Sequence, residues 1–458
     1  MPDNPTRSPL LLWTWVSISV FVISLLALMA LQYQMPEEAG SFFGLNHDGV
    51  RIFQEQLFGE TLYGMDPGTY MLAFRLLLII VWLSYGAAVF LGMRGSILKP
   101  KTIIALTAFV ATALAVFWPA SLSNDSFAYL AYARMKVLYG QNPYSTSPEF
   151  LETVGDPTAW SIPWKMMSSY GSVWTVLSIA VVTLLKNAGL WWQEVAIKLI
   201  EVGALIGAAL AGRRIAAHLH PGKENLALLA IGLNPLLLIE GPANGHNDML
   251  MTCFLLIAAA CCLGRRWLLG GLMLGLSIGI KFVTITALPW ILLEYLQGKG
   301  RQHKVVMSLT IVILAIMPLI LCYLPFVGEG SPLAGMLERR DWGVHKPSLE
   351  GEITGSLPHV IIGLAARALF GNPLPVVLIF AGLTLWLYLS RKPGRWLAAW
   401  VPLSLFMIPA TMGMPFPWYS IWPCAVSLSC WDRLHTWLSV ICLTIAFVLS
   451  FLYSVAFL

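Results

Sequence analysis

Charged residues are scarce in this sequence: only 11% of its 458 residues are Asp, Glu, Lys or Arg, against about 25% in a typical soluble domain. With 58% hydrophobic residues, the chain is neither a water-soluble globule nor a disordered segment. Its net charge of +5 is spread over short loops without a basic stripe, which excludes a nucleic-acid partner. The seven cysteines form no CxxC motif and have no metal-binding spacing with histidine, so they are expected to be small core residues.

What the chain has instead is a series of apolar runs of about 20 residues, each long enough to cross a bilayer as a helix. They predict an all-α, polytopic membrane protein, one integral membrane domain over residues 1–458 with about 11 transmembrane helices. The predicted spans lie near Leu10 to Gln32, Tyr70 to Gly92, Thr102 to Ala120, Leu190 to Gly212, Leu226 to Glu240, Met249 to Leu263, Val305 to Leu324, Pro373 to Ser390, Trp396 to Thr411, Phe416 to Cys430 and Thr436 to Phe457.

Two further apolar segments are assigned by loop charge, because short cytoplasmic loops of membrane proteins are rich in Lys and Arg. The basic clusters of the chain all fall on one face only if neither segment crosses the membrane once. Gly171 to Lys186 is therefore predicted to be a re-entrant or interfacial helix on the external face. Trp267 to Glu294 is predicted to enter and return, with a break near Lys281 and weak points at Gly275, Gly279 and Pro289. The N-terminus is then cytoplasmic and the C-terminus external.

This topology places three long loops on the external face, where the chemistry is expected. They run from Met35 to Thr69, from Ser121 to Tyr170 and from Phe326 to Gly371. Long loops in a compact protein are usually functional or disordered, and these three are not of low complexity. We interpret residues 121–170 as a catalytic loop and residues 326–371 as a second external loop.

The first candidate site residue is Asp125, at the predicted membrane boundary. Ser123 or Asn124 could cap a helix that begins there and runs to about Tyr139, and this helix is predicted to be amphipathic and to lie along the interface. For an isolated aspartate a structural role at the helix N-terminus is the alternative.

A second group of polar residues, His246, Asn247 and Asp248, follows Glu240 in a turn between two predicted spans. The turn places His246 and Asp248 at the start of the next helix, where capping competes with function for Asp248.

Basic side chains inside apolar runs form a third group. Lys281 is costly in lipid and is expected to face a cavity or an anion. Lys198 and Glu201 are spaced so that they could neutralise each other, which favours a structural role.

The C-terminal part adds Arg339 and Arg340, which could grip a phosphate or belong to a solvated charge run. It also contains the FPWY motif with Trp418 and Tyr419, which leads into a late span.

Taken in order, these segments resemble the polyprenol-phosphate-mannose-dependent mannosyltransferases of the GT-C superfamily, in particular the bacterial α-1,6-mannopyranosyltransferases. The resemblance lies in SNDSFAYLAYARMKVLYGQNPYS, DPTAW, YGSVWTVLS, LNPLLLIEGPANGHNDMLM, IGIKF and FPWY. It covers about Ser121 to Pro289 well and the C-terminal third loosely.

The resemblance implies a GT-C bundle and an inverting hexosyltransferase with a polyprenyl-phosphate sugar as donor, a glycan or glycolipid as acceptor and the lipid bilayer as partner. Asp125 takes the position of the catalytic aspartate. The remaining candidates are assigned to substrate binding: His246, Asn247, Asp248, Lys281, Arg134, Arg339, Arg340, Tyr170, Trp418 and Tyr419. No cofactor is expected because the cations could neutralise a leaving phosphate, although a divalent ion at Asp125 and Asp248 stays open.

A transporter or flippase for a lipid-linked sugar is the alternative, since it too would use broken helices and a buried lysine. Transporters of this kind usually bind substrate near the midplane between internal repeats. Here the unusual polar residues crowd one face and no repeat is evident, which favours the transferase.

Overall fold

The computed structural model describes residues 7–36, 47–62, 64–163, 165–298, 303–327, 374–412 and 416–455. Within these ranges the chain forms α-helices joined by short 3-10 or π turns, and no β-strand. The predicted all-α class is therefore confirmed.

The helices are numbered here in chain order. The first ten are α1 (Arg7–Leu31), α2 (His47–Phe58), α3 (Pro67–Met93), α4 (Pro100–Phe117), α5 (Asp125–Tyr139), α6 (Glu149–Thr153), α7 (Ser172–Leu184), α8 (Leu190–Leu219), α9 (Glu224–Gly232) and α10 (Pro235–Leu238), which a π turn, Ile239–Ala243, extends. They are followed by α11 (Asp248–Leu263), α12 (Trp267–Ile280), a 3-10 segment Phe282–Ala287, α13 (Leu288–Gln297), α14 (Lys304–Tyr323), α15 (Leu374–Ser390), α16 (Arg395–Met412), a 3-10 turn Pro417–Ser420, α17 (Ile421–Leu428) and α18 (Arg433–Val455).

Several of these helices are long and apolar enough to cross a membrane, which makes the chain a multi-pass membrane protein. Among the described residues five qualify by length and composition: Pro9–Gln34, Pro67–Met93, Pro100–Phe117, Leu190–Leu219 and Lys304–Phe326. A bent helix pair would make six. The expected number of about eleven is not confirmed, because several predicted spans form shorter helices. The predicted span Phe416 to Cys430 is a 3-10 turn followed by the eight-residue helix α17, whose side chains are all buried.

The bent pair corrects the predicted straight span Leu226 to Glu240. The chain turns by 49° between Glu224–Gly232 and Pro235–Ala243. Pro235 lacks an N–H group and cannot continue the preceding helix. Asn234 caps the new helix instead, since its side chain accepts a hydrogen bond from the N–H of Leu237 at 3.2 Å. This bend directs the following turn, with Glu240, back into the protein interior.

The predicted break near Lys281 is confirmed. Helix α12 ends at Ile280, and Lys281 adopts an extended backbone before the 3-10 segment begins. The glycines expected to weaken this segment have a packing role. A Cβ atom on Gly275 would lie 2.6 Å from the carbonyl oxygen of Leu314, so only glycine allows α14 to pack so closely along α12.

Helix α5 begins and ends where the sequence predicts, at Asp125 and Tyr139. The expectation that it is an amphipathic helix with exposed faces is wrong, because every residue from Ser126 to Met135 is buried. That it lies along the membrane interface stays a prediction. It packs against α7 and α8, which cover the faces expected to meet lipid and water. Asp125 therefore stands at the start of a core helix.

Candidate functional site

The carboxylate of Asp125 lies at the edge of the buried core and is partly exposed to solvent. Its side chain is 18% exposed. Asn124 is the cap of α5, and Asp125 is its first helical residue. The backbone N–H of Asp125 donates to Ser123 Oγ at 3.1 Å, and the hydroxyl of Tyr170 donates to Asp125 Oδ1 at 3.4 Å. Asp125 is therefore not the cap of the helix, and its carboxylate faces side chains from two other segments.

His246 reaches Asp125 from the turn before α11. Its Nε2 lies 3.9 Å from Asp125 Oδ2. On the opposite edge of the ring, Nδ1 lies 2.9 Å from the backbone carbonyl oxygen of Glu240 and 3.3 Å from its carboxylate. The imidazole is fully buried. It thus lies between the carboxylates of Glu240 and Asp125.

Aromatic rings cover the face of this imidazole. The rings of His246 and Trp418 are stacked, with centroids 4.3 Å apart and an angle of 16°. Phe416 stacks on Trp418 in turn at 4.4 Å and 4°. We call His246, Trp418 and Phe416 the aromatic stack. It joins the N-terminal motifs to the C-terminal FPWY segment.

Asp248 holds Lys281 beside the same site. The Lys281 ammonium donates to Asp248 Oδ2 at 2.6 Å, and the indole N–H of Trp422 donates to the other oxygen, Oδ1. The ammonium also lies over two rings, 5.1 Å from the centroid of Tyr419 and 5.8 Å from that of Trp422. Asp248 is fully buried whereas the Lys281 side chain is 13% exposed. The predicted position of Asp248 at the start of α11 is confirmed.

Tyr170 and Asn247 adjoin these residues through Tyr129 of α5. Tyr129 lies edge-on to Tyr170, with centroids 4.7 Å apart, and its hydroxyl accepts from the backbone N–H of Asn247 at 3.5 Å. The buried side-chain amide of Asn247 has no hydrogen-bond partner within the described ranges. Two buried amide atoms without a partner indicate a water molecule or a ligand there.

Arg134, expected to bind phosphate, is engaged elsewhere. It makes an ion pair with Asp156, with Nη2 2.9 Å and Nε 3.1 Å from Oδ2. Thr158 and Tyr139 also donate to this carboxylate. A phosphate would have to displace Asp156 from Arg134, so this ion pair does not support a phosphate-binding role for Arg134. The pair instead holds residues 141–161 against α5.

The expected pairing of Lys198 with Glu201 is wrong. Lys198 donates to the backbone oxygen of Trp118 at 2.5 Å and lies 3.9 Å from Glu194. Glu201 accepts from the N–H of Leu250 at the start of α11, at 2.9 Å. By helical spacing, Lys198 could form an ion pair with either Glu194 or Glu201. Because α8 packs against α4 and α11, Lys198 lies near Glu194 in the structure.

Other sequence-based expectations fall outside the described residues. Arg339 and Arg340 lie there, as does nearly all of the second external loop, residues 326–371. In the part of the chain that is described, no three His, Cys, Asp or Glu side chains come together in a way that could hold a metal ion. Both oxygens of Asp248, one of the two residues considered for a divalent ion, are occupied by Lys281 and Trp422.

Glu240, Trp422, Tyr129 and Phe416 belong to the site but were not assigned to it from the sequence. An acid at the end of an apolar run gave a signal for Glu240, but its contact with His246 depends on the π turn. No sequence signal identifies Trp422, because it is one of 19 tryptophans and its hydrogen-bond partner, Asp248, is 174 positions away in the chain.

Comparison with known proteins gives this geometry a chemical context. The family model described as "Alpha-(1->6)-mannopyranosyltransferase, N-terminal domain" matches residues 50–297. The chain is also 23% identical over 380 residues to alpha-(1->6)-mannopyranosyltransferase A of Mycobacterium tuberculosis, which covers 76% of this chain and 70% of that protein. No solved structure matches significantly.

The family match contains Asp125, the His246 turn and Lys281, and it spans more than half of the chain. The chain therefore belongs to the alpha-(1->6)-mannopyranosyltransferase family of GT-C membrane enzymes and is a mannosyltransferase.

Proposed function

We propose that this enzyme moves mannose from a polyprenyl monophosphate to a hydroxyl group of a glycan or glycolipid, with inversion at the anomeric carbon, on the non-cytoplasmic side of the membrane. The observation that carries the proposal is the carboxylate of Asp125, partly exposed beside His246 and Tyr170 in the site that the family motifs form. The proposal extends the family assignment to the donor, the stereochemistry and the side of the membrane.

Asp125 is the general base in this proposal. Glycosyl transfer to a hydroxyl needs a group that takes up its proton as the new bond forms. Asp248 is a poor candidate because Lys281 and Trp422 occupy both of its oxygens and its side chain is fully buried. Among the described residues, the hydrogen bond that the Asp125 carboxylate accepts is a long one, from Tyr170 at 3.4 Å, so the carboxylate is free to accept a proton from the acceptor hydroxyl.

Among the described residues of the site, Asp125 has a carboxylate open to substrate, whereas those of Asp248 and Glu240 are engaged by buried partners, and this arrangement supports inversion. A retaining displacement uses a second carboxylate as nucleophile, whereas an inverting one needs only a base on the face opposite the leaving group. With Asp248 bound to Lys281, the arrangement supports a single displacement in which Asp125 activates the acceptor.

Lys281 is the cation proposed to meet the leaving phosphate. A lysine ammonium has three N–H donors, and Asp248 uses one of them. The carboxylate, together with Tyr419 and Trp422 beneath the charge, fixes the position of the ammonium before substrate arrives. Such a preorganised charge stabilises a developing phosphate anion without rearrangement.

The aromatic stack and Tyr419 are proposed to form a wall of the sugar site. Trp418 and Tyr419 lie between His246, beside the base, and Lys281. Flat aromatic surfaces combine apolar contact with little conformational freedom, and sugar-binding pockets use such surfaces with a few placed polar groups. Asn247 supplies polar atoms on the Tyr129 side.

Reconstitution tests the donor and the reaction together. Purified protein in liposomes is supplied with radiolabelled polyprenyl-phosphate mannose and a panel of oligomannoside and glycolipid acceptors. We expect a new mannosidic bond of inverted configuration, established by NMR of the product. Label that crosses the bilayer without bond formation would support a flippase and refute the proposal, while activity only with GDP-mannose would refute the lipid donor.

Asp125→Asn tests the base. We expect its turnover to fall at least about 1,000-fold, while binding of the lipid donor stays within about twofold. Asp66→Asn is the matched control, since Asp66 is an exposed helix cap of α3. Turnover of Asp125→Asn within tenfold of wild type would remove Asp125 from the chemistry.

A further inference from the structure

The side chains of Glu240, His246 and the proposed base Asp125 form a line, with His246 in the middle. A general base alone would not require the other two. Glu240, His246 and Asp125 come from the π turn, from the loop before α11 and from the start of α5. His246 lies 3.3 Å from the Glu240 carboxylate and 3.9 Å from that of Asp125. Along this line the side-chain exposure is 18% at Asp125, 0% at His246 and 6% at Glu240. Asp125 is therefore the most open of the three, and the other two are buried behind it.

The contacts of His246 assign its tautomer. A backbone carbonyl can only accept a hydrogen bond, so Nδ1, 2.9 Å from the Glu240 carbonyl oxygen, carries the hydrogen. In the neutral ring Nε2 is then a bare acceptor. This buried nitrogen has no hydrogen-bond partner among the described residues, and it points toward Asp125 Oδ2.

The charges around His246 favour a positive ring after proton uptake. Four carboxylates face it, those of Asp125, Glu240, Asp248 and Glu194. Asp248 is paired with Lys281, and Glu194 lies near Lys198.

Within the described ranges, by contrast, the ion-pair partner of both Asp125 and Glu240 is His246. A proton on the imidazole would place one positive charge between these two carboxylates, with which no lysine or arginine in those ranges forms an ion pair. Burial opposes this charge, but the hydrogen bond and charge of Glu240, with Asp125 and Asp248, outweigh it and raise the pKa of His246.

We propose that His246 receives from Asp125 the proton of the acceptor hydroxyl, and that Glu240 is the positioning residue that fixes the ring and stabilises its charged form. The inference rests on the proposed role of Asp125 as base. As the acceptor oxygen bonds to the anomeric carbon, the bond from this carbon to the phosphate oxygen breaks and the phosphate leaves with its electron pair. The acceptor proton passes to Asp125 Oδ2 and then to His246 Nε2, and it returns to solvent after product release.

The distance of 3.9 Å is longer than a hydrogen bond. Catalytic hydrogen bonds are often long without substrate and shorten in the complex. Asp125 can move toward the ring by a side-chain rotation because it is partly exposed. His246 cannot move toward Asp125 without losing its stack on Trp418 and its bond to Glu240, so Asp125 is the mobile partner.

Glu240→Gln separates this role from a packing role. The variant keeps the backbone carbonyl that orients Nδ1 and nearly the same side-chain shape. It removes the negative charge and replaces one acceptor oxygen by an NH2 donor. We expect the acidic limb of kcat to move to lower pH by about one unit and the plateau kcat to fall about tenfold, with both KM values within about twofold of wild type. The limb moves because a less stabilised imidazolium forms only at lower pH, and His246 must be neutral to receive a proton.

His246→Gln and two comparison variants complete the test. His246→Gln is expected to lose the part of the acidic limb that His246 causes and to lower kcat about 100-fold. Glu240→Asp keeps the charge and should keep the position of the limb. Glu294→Gln is the matched control, because its carboxylate accepts from the N–H of Gly394 at 2.8 Å, away from the site, and its pH profile should equal that of wild type.

Two results overturn the inference without affecting the proposed function. One is a lower kcat of Glu240→Gln with the acidic limb unmoved, which is the behaviour of a packing residue. The other is a wild-type profile in this variant. Should Glu240→Gln not accumulate in membranes, the limb of His246→Gln decides: its persistence refutes the inference and its loss supports it. Failure of wild type to transfer mannose from the lipid donor would instead refute the proposed function.

Discussion

The ammonium of Lys281 and the carboxylate of Asp248 form a buried ion pair of 2.6 Å that joins the break after α12 to the start of α11. Each group neutralises the charge of the other, and this is needed because an unpaired charge buried at this depth is unfavourable. The pair thus explains how a lysine in an apolar segment is tolerated. It also leaves Lys281, at 13% exposure, able to meet an anion from the open side.

Lys281→Met should weaken binding of the lipid donor at least about tenfold, because it removes a charged hydrogen bond to the phosphate. Removal of one partner from a buried ion pair also destabilises a protein, by about 3–5 kcal/mol. The double variant Lys281→Met, Asp248→Asn should recover the melting temperature but not donor binding. Lys304→Met, at an ammonium that donates to the Leu296 carbonyl, is the control, and unchanged donor affinity in Lys281→Met would assign the lysine to structure alone.

The sequence predicted those parts of the site that depend on local signals. The bounds of α5, the start of α11 at Asp248 and the break at Lys281 follow from capping residues, turn residues and a charge in an apolar run. Each signal lies within about ten residues of the feature it marks.

The partners in the site could not be predicted, because they come from segments far apart in the chain. Trp418 stacks on His246, and Trp422 binds Asp248. Neither contact leaves a periodicity or motif in one sequence. The burial of α5 could not be predicted for the same reason. Its Tyr and Arg residues give the sequence an amphipathic pattern, but in the structure partners such as Asp156 accept the hydrogen bonds of these polar groups.

The ion pair of Arg134 with Asp156 predicts sensitivity to acid. Burial raises the pKa of Asp156, but hydrogen bonds from Arg134, Thr158 and Tyr139 outweigh it and lower the pKa below the usual value. A carboxylate with a lowered pKa in the folded state stabilises the fold above its ordinary pKa near 3.8, and this contribution is lost as the pH falls through the folded-state pKa.

The melting temperature in detergent should therefore fall on acidification below about pH 4 more steeply for wild type than for Asp156→Asn. At pH 7 the Asp156→Asn variant should melt several degrees below wild type, because it leaves Arg134 without its charged partner. Equal acid sensitivity of the two proteins would show that the pair does not fasten this segment. Asp66→Asn, at an exposed cap, should leave the melting temperature at pH 7 nearly unchanged.

Glycine-to-alanine substitution should have opposite effects on stability at Gly275, where α12 packs closely on α14, and at Gly86 of α3. A Cβ on Gly275 would lie 2.6 and 2.9 Å from the carbonyl oxygens of Leu314 and Ala315, whereas a Cβ on Gly86 would have no atom within 4 Å. Gly275→Ala should destabilise the protein by about 1–3 kcal/mol, since the backbone must shift. Gly86→Ala should stabilise it by about 0.5–1 kcal/mol through helix propensity. Urea or thermal unfolding in detergent checks both, and a Gly275→Ala variant as stable as wild type would contradict the close approach.

Cysteine labelling at the two ends of α8 tests the proposed membrane side. This helix has 30 residues and is about 45 Å long at 1.5 Å per residue, so its ends should emerge on opposite sides of the bilayer. Loop charge predicts that Ala188, just before α8, is external and that Pro221, beside the basic loop after it, is cytoplasmic.

In intact cells an impermeant maleimide should therefore label Ala188→Cys and not Pro221→Cys, while both react in opened membranes. The parent protein should carry Cys261→Ser and Cys322→Ser, because these two native cysteines are partly exposed and the other five are buried. Labelling of Pro221→Cys alone in intact cells would reverse the orientation and place the catalytic loop on the cytoplasmic side. Labelling of both would show that α8 does not span, which would remove the geometric basis for an external site.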